Sequence, residues 1–503
     1  MCVFALSRIP VRENQSFHGR VAMSAFRGIM KNPTKSVLSG VRRKPLAACC
    51  AALFALAAPE AFAQSTWQLT TCADSGPGSL RDIVANSAVS GDTVDFSSLN
   101  LSNCPSSVIS LTTGAITIAQ NSLTLQGHAQ AVTGYYNGTY ENDRVFNHTG
   151  TGTLIVKNLL IEYNHFYPDG PAKGGCIYSA GNVILDHTEL FRCTAKPLTS
   201  GANSAAKVSG GGIFTKGSLI LKYADVTANV AKTQGSATGG GAYSVGAFSM
   251  SSSSISANYS VGQAGGIFGR HGGSMTGSTI SGNIAEDGSG SLGAGGAIVD
   301  GTSSDTFQIT NSTISGNSAP QAVVGGVVSE VATTVRNSTI AFNTAKFGRI
   351  AKTGGGFNYF AAGLHMETGI NNSSPLTLQS SILSNNTYGA TETDFSALTF
   401  APYTISITSD HNLIRASSGP QRPPTVSTAC PLLGPLRFNG GPTKTHALLS
   451  RSPAIDAGSN PLNLATDQDI DLRVVGPAAD IGAYEVQDGI IFNSNFEGCP
   501  VLF

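Results

Sequence analysis

Charge is scarce in this sequence. Lys, Arg, Asp and Glu together make up 12% of its 503 residues, and 30 basic side chains cancel 30 acidic ones. That is about half the usual charged share. A neutral chain offers no electrostatic footprint for nucleic acid, an anionic membrane or an acidic polymer. Long hydrophobic runs are also missing: the one near the start, Leu46 to Ala58, falls short of the roughly 18 residues a spanning helix needs. No CxxC or His-rich spacing is present to hold zinc, and no EF-hand or nonapeptide pattern to hold calcium. No repeated segment carries the 3.6-period apolar stripe that a helix requires. Glycine, by contrast, is abundant at 59 residues, and the 41% apolar content argues against disorder.

What is there is a repeat. Gly210–Asn229 reads GGGIFTKGSLILKYADVTAN, with Gly212 seventeen residues before Asn229 and Val226 three before it. The same frame returns at Gly241 to Asn258 with Ile255, Gly266 to Asn283 with Ile280, and Gly326 to Asn343 with Ile340. Two copies are stretched: Gly296 to Asn317 with Ile314, and Gly363 to Asn385 with Ile382. An earlier copy puts Cys176 in the glycine place, Leu190 in the apolar place and Cys193 in the asparagine place; Ile161 and Asn164 look like the tail of one more. A period of this size also suits helical repeats. Short β-branched segments such as Ser278-Thr279-Ile280 favour stacked strand coils instead. The expectation is an all-β solenoid with one inward aliphatic stack and an asparagine ladder of Asn229, Asn258, Asn283, Asn317, Asn343 and Asn385, whose amides bond from coil to coil. Glycine runs mark another corner, where positive φ or close approach is wanted.

At the start, Arg42-Arg43-Lys44, the apolar run and Ala61-Phe62-Ala63 predict a secretory signal peptide cleaved after Ala63, with Met30 a plausible true start. Leu46–Cys49 resembles a lipoprotein box, but the apolar core follows it instead of preceding it. Cleavage leaves Cys72, Cys104, Cys176, Cys193, Cys430 and Cys499, an even number suited to disulfides in an exported chain. Cys176 and Cys193 replace signature residues of a single coil, so they are expected to pair; Cys72–Cys104 and Cys430–Cys499 complete the set. Ser79 can N-cap a short helix from Leu80, an N-terminal cap over the open first coil.

The segments SGPGSLRD and GDTVDF, the GG(G)I and STISGN coils, and NGGPTKTHALLSRSPAIDAGSN with DIGAYE at 439–485 together resemble the bacterial choice-of-anchor Q proteins. These are similar to polymorphic outer-membrane-protein repeats and to the pectin-lyase-like class. The resemblance implies a right-handed parallel β-helix with a short N-terminal helical cap and a C-terminal cap, secreted to the extracellular space or the bacterial outer-membrane surface. It divides the chain into a leader (1–63), N-terminal cap and first coils (64–150), repeat β-helix (151–415), C-terminal cap (416–487) and tail (488–503). No LPxTG motif or terminal apolar helix marks an anchor.

The same class includes polysaccharide lyases and hydrolases, which need converging carboxyl groups. Glu286, Asp300 and Asp305 are the catalytic candidates, and Arg270-His271 and His365 with Glu367 could form polar sites. Sparse acids favour surface groups over catalysts. Asp456, Asp467, Asp469, Asp471 and Asp480 would suit calcium by chemistry, but without a calcium pattern the expectation is loop carboxylates bonded to backbone and no cofactor. The reading is a non-catalytic exported β-helix with an adhesive, structural or glycan-binding role toward a polysaccharide or a host or matrix surface; the alternative is a polysaccharide lyase or glycoside hydrolase.

Overall fold

A computed structural model of the chain describes residues 64–134, 143–198, 206–286, 292–351, 357–369 and 373–487. The signal-cleavage position Ala63, the rest of the leader, the tail and Cys499 lie outside the described residues. The described residues belong to the compact unit Ala63–Phe503.

The coils are β-strands stacked in parallel. In one coil, Leu219–Lys222, Asp225–Thr227 and Val230–Ala231 are separated by two-residue bends, the first residue of each left-handed: Tyr223 at φ 46° and Ala228 at φ 56°. Each strand pairs in register with its counterpart in the next coil, so Val226 faces Ile255 and Ile255 faces Ile280. The coil closes through Ala242–Ser244 in an 11-stranded parallel sheet on the other side. This is a parallel β-helix, and parallel crossovers of this kind take the right hand almost without exception. At the start, Leu80–Asn86 is the one helix among the described residues; Ser79 accepts from Asp82 N–H at its N-cap, and Leu80, Ile83 and Val84 are buried. It covers the apolar end that an open first coil would expose.

The spacing of glycine and asparagine has a direct steric cause. Each ladder asparagine is fully buried and lies against the third glycine of its own coil: a Cβ on Gly241 would come within 2.9 Å of the Asn258 amide, and one on Gly266 within 3.1 Å of Asn283. The same Cβ would also meet the carbonyl of the next coil's third glycine, Gly266 O at 2.9 Å from Gly241 and Gly296 O at 2.5 Å from Gly266, so amide and carbonyl together call for glycine. In the ladder, Asn258 Nδ2 donates to Asn283 Oδ1 at 2.9 Å and to Val226 O at 2.9 Å, while Asn258 N–H donates to the same Asn283 Oδ1 at 3.0 Å. The pattern repeats through Asn317 and Asn343. Where Cys176 and Cys193 replace the glycine and the asparagine, they are joined by a disulfide with Cα atoms 5.5 Å apart. A covalent contact stands where the other coils have a packing contact.

The ladder ends differently from the expectation. Leu383, not Ile382, pairs with Ile340, and Asn386, not Asn385, accepts from Asn343. The stretched loop before this strand is one residue longer than the frame implies, which shifts the register by one. Asn385 instead takes the left-handed bend at φ 58°, and Ile382 turns outward into a second apolar cluster. Asn386 donates twice to Asp394 Oδ1, and Asp394 Oδ2 accepts from Ala416 N–H, so a buried carboxyl closes the column.

A second ladder runs along the other bend. Ser253 N–H donates to Ser278 Oγ, Ser278 N–H to Ser312 Oγ, Ser312 N–H to Ser338 Oγ and Ser338 N–H to Ser381 Oγ, each at 3.2 Å, with Asn412 Oδ1 closing the row. Both bends of each coil therefore satisfy their orphaned N–H groups from the next coil.

Beyond the last strands the chain turns back along the flank of the stack. Thr443 Oγ1 donates to Gly277 O, Gln468 Nε2 to Thr279 Oγ1, Asn311 Nδ2 to Thr466 O and Asn337 Nδ2 to Ser459 O. The C-terminal segment thus straps several coils as well as following the last one.

Candidate functional site

Two places on this scaffold have chemistry to weigh. The first is a row of charged side chains four residues after the third glycine: Arg270, Asp300, Glu330 and Glu367. Gly269, Val299, Ser329 and Met366 pair in register just before them, so the row climbs one residue per coil, about 4.8 Å at a time. Arg270 Nε lies 3.6 Å from Asp300 Oδ2. Burial raises the Asp300 carboxyl, while Arg270 and His271 pull it back. Burial pushes Glu330 up to about 7, Glu367 and Asp300 adding repulsion against a smaller pull from Arg270. His365 is fully buried, its Nδ1 2.7 Å from Ser396 Oγ and its Nε2 3.4 Å from Glu367 Oε2.

Of the three carboxylates weighed for the enzyme alternative, Glu286, Asp300 and Asp305, only Asp300 belongs to this row. Asp305 sits beside it as a turn cap: it resists a raising effect of burial because the Thr302 N–H, His271 and the Thr302 hydroxyl hold its carboxyl low. Glu286 does not join them. It accepts from the Tyr259 hydroxyl on the strand edge beyond the asparagine ladder, so the convergence with Asp300 or Asp305 that the enzyme alternative would use is not formed: the two positions stand on different sheets of the coil. Glu330 and Glu367 complete the row; the sequence singles out Glu367 only with His365, and Glu330 not as a site residue. Counting four places on from each third glycine would have found them.

Apolar packing borders the row. Phe268, Ile298 and Val328 lie next to it on the same outward face, covered by Ala264, Ala294, Val323, Val324 and Phe360. Towards the N-terminal coils this face carries a stack of rings, Tyr178, Phe214, Tyr243 and Phe268, with centroids 5.2 to 5.6 Å apart and near-parallel planes. The rings cover one another's faces, which leaves edges rather than platforms for a sugar.

The second place is a groove of about 800 Å³ between the coil flank and the C-terminal strap. Its floor is the outward row Thr227, Ser256, Ser281 and Ser315 with the bend residues Ala257, Gly282 and Gly316; Leu433, Pro435 and Leu436 form a wall. Phe342 and His446 bound it, their rings 5.0 Å apart. No carboxylate lines it. His446 Nδ1 donates to Gly434 O at 2.7 Å, and Nε2 accepts from Ser315 Oγ at 2.7 Å. That geometry has the outline of a nucleophile and its base. Yet burial drives the imidazole down to about 4, which makes it a weak base at neutral pH. The neighbouring Gly282 and Gly316 N–H groups are occupied by Ser315 O and Ala341 O, so they cannot serve an oxyanion. The Ser315–His446 pair fastens the strap to the coil.

The acids of the strap are tied to backbone. Asp467 Oδ1 accepts from Asp469 and Asp471 N–H, Asp480 from Asp456 and Val486 N–H, and Glu485 from Val475 and Asp480 N–H. Among the described residues, no group of three or more His, Cys, Asp or Glu is placed to hold a metal ion.

Of the remaining cysteines, Cys430 is disulfide-bonded. Cys72 and Cys104, expected as a bridge, are free thiols in hydrogen-bond contact, with burial and Cys72 raising the Cys104 thiol to about 11. Cys72 Sγ lies 3.7 Å from Asn103 O and Cys104 Sγ 4.0 Å from Val108 O, two further acceptors for the pair's two S–H groups.

No family model matches the sequence, and no curated protein matches it. Among solved structures the chain is similar to a crystal structure of pectate lyase Pel9A, at 13% identity with a TM-score of 0.44, covering 84% of this chain and 98% of that one. At that level the likeness says nothing about chemistry.

Proposed function

We propose that this parallel β-helix is a non-catalytic exported protein that works by contact, at the cell surface or outside the cell. The observation that carries the reading is the groove: between coil flank and strap it is lined by no carboxylate, and its one imidazole is bonded at both nitrogens and held neutral. Neutral Ser and Thr rows along the coils suit many weak polar contacts with a polysaccharide or a host or matrix surface. The basic–apolar–small-residue leader supports export, and the motifs at 439–485 support membership of the choice-of-anchor Q proteins. No described helix is long and apolar enough to cross a membrane.

A second reading, polysaccharide cleavage, is favoured by one observation. Asp300, Glu330 and Glu367 stand on successive coils, and steps of one or two coil rises approach the carboxyl separations used by glycosidases. One experiment separates the two. The purified chain is screened against plant and bacterial polysaccharides, reading binding and product release with and without calcium. Binding without turnover is expected. Product that disappears in Asp300→Asn or Glu330→Gln would overturn the non-catalytic reading.

A further inference from the structure

The bend residue that precedes each ladder asparagine forms a row of its own. It reads Tyr163 and Arg192 in the early coils, then Ala228, Ala257, Gly282 and Gly316, then Phe342. All share the same left-handed conformation, so the backbone is continuous while the side chains shrink and then return. A Cβ built on Gly282 or Gly316 meets no atom closer than 3.9 Å, whereas most glycines of the coils are crowded by backbone. These two small residues are not required by packing. What they leave open is the floor of the groove, running from Thr227 to Ser315 over three coil rises, or about 15 Å.

The chemistry of that trough is narrow. Leu433, Pro435, Leu436 and Phe342 present carbon, and three of the four floor hydroxyls have side-chain partners: Thr227 with Ser256 at 3.2 Å, and Ser315 with His446. No amide or carboxylate side chain is there to read sugar hydroxyls, and a buried glycan would leave its own polar groups unpaired. One exposed cation, Lys444, stands at the rim. We infer that the trough binds the hydrocarbon chain of a single long-chain carboxylate, with Lys444 facing the carboxylate end. A long, thin, apolar ligand with one negative end matches the shape of the trough, its lining and the sign of its one rim charge, whose Nζ lies 5.6 Å from the Phe438 ring centroid and makes no ion pair among the described residues.

The test uses laurate and the purified chain in a calorimetric titration, with thermal unfolding as the control for folding. Saturable one-to-one binding is expected, weakening about three- to fourfold for each methylene removed from the chain. Ala257→Phe should abolish it, since Phe342 shows that the same bend accepts that side chain. Lys444→Gln should weaken laurate at least threefold and leave dodecanol unchanged. Absence of saturable binding, or equal binding by folded Ala257→Phe, would overturn the inference. So would adsorption to phospholipid vesicles without uptake of monomeric laurate, or self-association blocked by Ala257→Phe. Polysaccharide binding measured on the same variant tells this failure apart from failure of the contact reading: loss of glycan but not laurate binding would make the trough a glycan site and sink the carboxylate.

Discussion

The coil stack and the strap that lies along it are held together in opposite ways. In the stack a few contacts are written many times: Asn258 to Asn283, Asn283 to Asn317, and Ser253 to Ser278 are the same bonds at successive levels. Nearly all of these groups are neutral. In the strap nothing repeats, and the interior is charged: Arg473 is fully buried, its Nη2 donating to Asp480 O and lying 3.6 Å from Glu485, while its Nε and Nη1 have no hydrogen-bond partner among the described residues. The stack distributes its stability over near-equivalent interfaces between neighbours. The strap concentrates it in one network whose members cannot substitute for one another. Repetition gives tolerance at the ends and vulnerability in the middle, because a ladder position serves two coils at once.

Breaking the ladder at its centre should therefore have the largest effect. Asn283 accepts two bonds from Asn258 and donates to Asn317 Oδ1 and Ile255 O. Asn283→Ala leaves the Asn258 N–H without its acceptor, the Asn258 amide with Val226 O alone, and Ile255 O and Asn317 Oδ1 without the Asn283 side-chain donor, inside a fully buried column. At roughly 1–3 kcal/mol for each unsatisfied buried group, a loss of about 3 kcal/mol or more is expected, read as a shift in the denaturation midpoint. A loss under about 1 kcal/mol would mean that water or backbone movement replaces the amide, and the ladder would not be the structural element argued here.

The strap offers a different handle, pH. Burial raises Asp467 and Glu485 to about 7 and Asp469 to about 6, all above their usual values near 4. Between about pH 4 and 7 the folded strap thus holds more protons than the unfolded chain, and its stability falls as the pH rises through that window. His446 works the other way: it is held near 4 against an ordinary value near 6.5, so folding gains stability as the pH rises from about 4 to 6.5. Three carboxyls against one imidazole give a net loss. Hydrogen exchange should find residues 433–486 less protected at pH 8 than at pH 5, with the central coils, whose ladders do not titrate, unchanged. Uniform change in both regions would erase the distinction.

Much of the coil architecture was legible because its cause is local. The third glycine and the asparagine touch within each coil, so their spacing survives every insertion that falls elsewhere, and the cysteine pair that replaces them betrays the same contact. The serine ladder was equally regular, in Ser253, Ser278, Ser312, Ser338 and Ser381, but serine is so common in this chain that its periodicity did not stand out. The charged row was hidden for another reason: Arg270, Asp300, Glu330 and Glu367 share a position but not a residue type. The strap was legible as a C-terminal segment and not as a flank, since its contacts, such as Gln468 with Ser278 and Thr313, pair single residues across more than a hundred positions with no period to reveal them.

The smallest effect tests the one place where the frame slipped. Asn385 and Asn386 are adjacent and chemically identical, and the fold gives them unlike work. Asn386 donates to Ile340 O and Asp394 and accepts from Asn343, while Asn385 sits in the left-handed bend with its amide 3.3 Å from Ser384 Oγ and its carbonyl 3.3 Å from Arg415. Glycine already fills that bend at Gly282 and Gly316. Asn385→Gly should then lie within about 1 kcal/mol of the parent, the left-handed backbone favouring glycine and the lost side-chain bonds opposing it. Asn386→Gly removes the terminal rung and should cost several times more. If the two substitutions proved equal, or Asn385 the costlier, the one-residue register shift at Leu383 would be wrong and the ladder would end as the simple frame implies.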